Sequence, residues 1–125
     1  MDTAKIEGYL INLGLTFREI GDQAWMIDDP ENGLSNVVVF AQEDLVTIRT
    51  KIMNVPDSRH EDFFRRLLQL NAEMIHGAYA LDGDNVILID TLELATMDLE
   101  EFQASLDATG LALAQHYNVL SEFRK

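Results

Sequence analysis

The chain has 125 residues, enough for one domain and too few for two independent cores. Its 9 Lys and Arg against 22 Asp and Glu give a formal net charge of −13, which should repel nucleic acid and anionic membrane surfaces, because binding to both depends on neutralising phosphates. The absence of cysteine excludes a disulfide scaffold and thiolate metal sites, while 47% hydrophobic residues with only 2 Pro argue against disorder.

The opening stretch from Met1 to Asn12 carries Asp2, Lys5 and Glu7, unlike the basic start and apolar run of a secretory leader. No stretch approaches the ~18 apolar residues of a membrane span, so the expectation is a cytoplasmic protein. Thr3 to Gly14 reads as a first helix, with Thr3 as cap, Ile6, Leu10 and Leu13 on one face, and Gly14 as the stop. Phe17 to Ile27 reads as a strand carrying Phe17, Trp25 and Ile27, interrupted by Gly21-Asp22-Gln23. After the turn-forming run Asp28 to Gly33, strands are predicted over Asn36 to Ala41 and Leu45 to Met53, joined through Gln42-Glu43-Asp44.

Pro56 ends the third strand, and Ser58 with Glu61 has the spacing of a capping box for a helix running to Ile75. Phe64, Leu68 and Asn71 and their neighbours set the expected register of its burial. Tyr79 to Leu81 and Val86 to Thr91 flank Asp82-Gly83, the signal for a type I′ hairpin turn. The unbroken apolar run Val86 to Ile89 suggests a central strand covered on both faces. A last helix is predicted from Asp98 to Phe123, with Leu99, Phe102, Leu106, Leu113, Tyr117 and Leu120 at helical spacing and Gly110 marking a bend or a close approach. The order is α-β-β-β-α-β-β-α: one α+β domain over residues 1–125, with helices flanking an antiparallel sheet of roughly five strands.

Candidate chemistry is sparse. The three histidines, His60, His76 and His116, have no metal-ligand spacing, although His76 and His116 could meet across the fold. Asp82-Gly83-Asp84-Asn85 does not match a calcium loop and reads as a turn. No GxSxG, GxGxxG or Walker sequence occurs, so no hydrolase elbow or phosphate loop is expected. Arg49, Lys51, Arg59, Arg65 and Arg66 form the one basic concentration, read as partners for the surplus acids or as a small contact patch. Between Arg66 and Arg124 stand ten acidic residues and no Lys or Arg.

The segments Asp62-Phe63-Phe64-Arg65-Arg66-Leu67-Leu68, Asn71 to Tyr79 and Val86 to Asp90, with Phe102 to Leu106 and Tyr117 near the end, resemble the YbjN family in its cyanobacterial-type branch. That resemblance implies the type III secretion chaperone-like fold, a dimer, and no established enzyme chemistry. The reading is a non-enzymatic protein-interaction or chaperone-like module, acting as a homodimer on a protein partner, with no cofactor or metal. Arg65 and Arg66 are candidate partner contacts. The alternative is a small-molecule-binding domain whose pocket, between sheet and long helix, is lined by Trp25, Phe64 and Phe102.

Overall fold

A computed structural model describes residues 4–124; the predicted cap Thr3 lies outside them. Helix α1 (Ala4–Asn12) buries Ile6 and Leu10, one turn apart. It ends as its glycine predicts: Gly14 takes φ 69°, its amide donates to Ile11 O and the Leu15 amide to Leu10 O, the paired bonds of a Schellman motif.

The predicted strand Phe17 to Ile27 is two strands, β1 (Phe17–Gly21) and β2 (Ala24–Asp29), antiparallel about a tight turn in which Gln23 has φ 58°. The polar interruption in the sequence is that turn, so the sheet has six strands rather than five. A single 3-10 turn (Pro30–Asn32) leads into β3 (Leu34–Gln42), which pairs with β4 (Leu45–Asn54). Both central residues of their turn, Glu43 and Asp44, have positive φ (49° and 66°), the requirement of type I′. In the hairpin of β5 (Ala78–Asp82) and β6 (Asn85–Glu93), Asp82 pairs with Asn85, so the central residues are Gly83 and Asp84 and only Gly83 has positive φ. The hairpin stands where predicted, but the type I′ turn sits at Glu43-Asp44.

All six strands form one antiparallel sheet in the order β1-β2-β3-β4-β6-β5. The last hairpin inserts β6 beside β4, where Val86, Ile87 and Leu88 are all buried, as the apolar run suggested. Alternate residues of the strands supply one face to two core clusters. The first gathers α1, β2, β3, β4 and Phe102; the second gathers Met53, Tyr79, Val86 and Leu88 with the helix that follows β4.

That helix, α2 (His60–Glu73), starts two residues later than predicted. Arg59 precedes it in the left-handed region and no side chain caps it; Glu61 instead lies 3.5 Å from Arg65. Its buried register is Phe63, Leu67 and Leu70, the immediate neighbours of Phe64, Leu68 and Asn71 rather than those residues themselves, because the i, i+4, i+7 set faces the sheet. Helix α3 (Leu99–Gln115) begins under a true cap, Asp98 Oδ1 accepting the Glu101 amide at 2.7 Å. It stops short of the predicted Phe123. His116 breaks it, and a short helix α4 (Tyr117–Ser121) turns Leu120 and Phe123 into the second cluster, where the Phe123 ring lies 5.1 Å from Phe63. Gly110 is a close approach, since a Cβ there would stand 3.0 Å from Asn32 O.

Candidate protein-binding surface

Helix α2 has two apolar faces, and the sheet needs only one. Its outward face carries half-buried Phe64, Leu68 at 69% exposure and Ala72, flanked by Arg65 and Gln69. Two further large apolar side chains are uncovered, Ile75, 91% exposed in the loop before β5, and Leu111 on α3, 57% exposed. A groove of about 410 Å³ runs there between the end of α2 and the outward side of α3, floored by Met74, Ile75, Ala104, Ala108 and Leu111 and edged by Glu73 and Asp107. Apolar clusters of this kind, unlike scattered single residues, mark interaction sites.

Behind this surface a polar chain holds α2, β5 and α3 together. The Asn71 side chain accepts the Tyr79 amide at 2.7 Å and donates to Tyr79 O at 3.3 Å, fixing the edge strand to the helix. The Tyr79 hydroxyl lies 2.7 Å from His116 Nδ1, with both residues buried. Burial pushes the Tyr79 hydroxyl up to about 12. It also lowers His116 from its ordinary value of 6.5, opposed by Glu73 and helped by Arg66. A neutral imidazole accepting from a phenol that holds its proton is a structural bond, and it stands at the point where α3 ends.

Of the predicted site residues, the structure brings Phe64 and Arg65 together on the outer face of α2. Arg66 lies nearby with its guanidinium on Gln69 at 3.3 Å. Trp25 and Phe102 lie in the first core cluster, 5% and 0% exposed, while Phe64 packs at the margin of the second. The predicted pocket of Trp25, Phe64 and Phe102 therefore does not form, because the core consumes two of its three rings in a cluster that Phe64 does not join. His76 and His116 do border one groove, as sequence allowed. Several of the basic residues meet acids: Arg49 lies 2.9 Å from Asp82 and Arg59 3.8 Å from Asp62. Sequence reasoning missed Ile75 and Leu111, whose exposure follows from the loop after α2 and the phase of α3. It also missed the Asn71–Tyr79–His116 chain, which joins residues far apart in sequence.

A helix-flanked antiparallel sheet with uncovered apolar surface defines a chaperone-like, protein-binding fold. The chain belongs to the CesT_Tir_1 family, a type III chaperone family whose model matches residues 1–125. YbjN from E. coli superposes with a TM-score of 0.72 at 15% identity over 94% of this chain and 93% of that one, bearing out the YbjN resemblance. A chain of the heterodimeric ExoU–SpcU complex from the type III secretion system of Pseudomonas aeruginosa gives 0.71 at 17% identity, over 88% and 93%. A chain of the ExsC–ExsE complex gives 0.57 at 18% identity, over 96% of each. No curated protein sequence matches the chain. Among the described residues no helix is long and apolar enough to cross a membrane.

Proposed function

We propose that this protein is a non-enzymatic, cytoplasmic protein-binding module of one domain that acts as a homodimer and holds a segment of a partner protein. The observation that carries the reading is the outward stripe Phe64, Leu68 and Ala72 on α2, left uncovered although the inward face already seals the core. Two-fold symmetry explains it economically. An isologous interface matches a patch with itself, and in an antiparallel pair of α2 helices Leu68, midway along the stripe, would meet its own copy. Arg65 and Arg66 would flank that contact, with the surplus carboxylates outside it. The fold and family support a protein partner, since two solved structures of this fold are complexes with another protein.

The absence of cysteine makes the test clean. Leu68→Cys should form a disulfide-linked dimer under mild oxidation, while Ile11→Cys, 66% exposed on α1, should not. Equal cross-linking of both variants, or of neither, would defeat the α2 interface.

A further inference from the structure

The groove between the end of α2 and α3 differs in charge from the α2 stripe beside it. Its apolar lining is Met74, Ile75, Ala104, Ala108 and Leu111, and its charged residues are Glu73 and Asp107; His76 and His116 also line it, and no Lys or Arg does. That follows from the sequence, because α3 lies wholly within the span between Arg66 and Arg124 that holds ten acids and no basic residue. On α3 the residues Ala104, Ala108 and Leu111 recur at i, i+4 and i+7, and the two alanines let a backbone approach closely. The volume of about 410 Å³ is that of a binding cleft, and Ile75 and Leu111 are large enough to grip what enters.

We propose that this groove takes an amphipathic helical segment of another protein whose apolar side chains lie on the floor and whose flanking residues are Lys or Arg. This rests on the protein-binding reading and adds the chemistry of the partner. Charge complementarity selects it: an apolar floor edged by carboxylates disfavours an acidic segment and steers a basic one. A second copy of this chain offers few free cations for this groove, because its Arg59 and Arg65 already face Asp62 and Glu61 of their own helix region.

Two synthetic helical peptides test this on the full chain. They share one Leu and Ala stripe and differ only in flanking residues, Lys and Arg in one and Glu in the other. Fluorescence anisotropy at low salt should show the basic peptide binding about tenfold or more tightly than the acidic one, as two or more surface charge pairs would give. The gap should close near 0.5 M salt, where the Debye length falls to only a few Å. The double substitution Glu73→Gln with Asp107→Asn should remove the preference while sparing apolar binding. Leu111→Gln should weaken both peptides by about tenfold through lost apolar burial. Binding of neither peptide, equal binding of both, or indifference to these substitutions would overturn the proposal, as would amide shifts at Ile75 and Leu111 that follow protein concentration and mark a second copy in the groove. Each of those results leaves the Leu68→Cys cross-link as an independent test of the dimer.

Discussion

Under β2, β3 and β4 the core is closed by α1 and the first turns of α3 in a cluster of aliphatic and aromatic side chains, from Ile6 and Leu10 to Phe102 and Leu106. Under β5 and β6 the half built by α2, α4 and the end of α3 carries the Asn71–Tyr79–His116 chain and leaves Leu68, Ile75 and Leu111 uncovered on its outer side. The first half spends its apolar residues on itself. The second has more of them than the sheet can cover, and it uses directional hydrogen bonds to fix where the excess points. Hydrophobic burial is non-directional, so a surface that must present Leu68 and Ile75 in one arrangement needs a polar frame behind it.

The largest effects should come from the two fully buried rings. Phe102→Ala in the first half and Phe63→Ala in the second, both 0% exposed, should each cost about 3–5 kcal/mol in urea melts. Only the second should also weaken the proposed dimer, because it loosens the seat of α2. A loss below ~1 kcal/mol from either would remove that residue from the core as described.

A smaller loss probes the polar frame. Asn71→Ala strips the Tyr79 amide of its 2.7 Å acceptor and should cost about 1–3 kcal/mol. Amide exchange should then quicken along β5 and leave β2 and β3 unchanged. Uniform quickening would mean that the two halves are not separable.

The pH dependence separates them again, by a gentler change. Burial depresses His116, so its folded value lies below the 6.5 of the unfolded chain. The neutral ring's contribution is thus fully present above pH 6.5 and is lost as pH falls from there through the folded value. Denaturant melts across that window should show the loss in the native chain and a smaller one in His116→Gln. An identical slope in both would place the titration elsewhere.

Much of this was legible in the sequence because local rules dominate there. Gly14, Asp98 and the run Val86 to Ile89 each act through their immediate neighbours, and each does what its type predicts. The errors fall where tertiary context chooses between near-equal local options. The apolar breadth of α2 admits two phases, and only contact with the sheet makes Phe63, Leu67 and Leu70 the inward set. Glu43-Asp44 supplies a type I′ turn without glycine because the pairing of β3 and β4 imposes positive φ on both residues. The bond of His116 to Tyr79 joins residues 37 apart, beyond the reach of local rules. Of the candidate site, Arg65 was found from the local concentration of basic residues, whereas Phe64, Trp25 and Phe102 were assigned to a pocket by aromatic character; the core claims the last two and Phe64 lies on the outer face of α2.

The central claim, a dimer held by the apolar face of α2, is tested most directly by sedimentation over a concentration series at two salt levels. Two chains of formal charge −13 repel each other, and the Debye length that screens them shrinks from about 30 Å at 0.01 M to about 8 Å at 0.15 M and further by 0.5 M. Apolar burial is not weakened by salt in that way. The expected result is a dimer that tightens, or at least holds, as salt rises, and that is lost in Leu68→Glu. A monomer at every concentration would contradict the dimer, and dissociation at high salt would contradict its apolar basis.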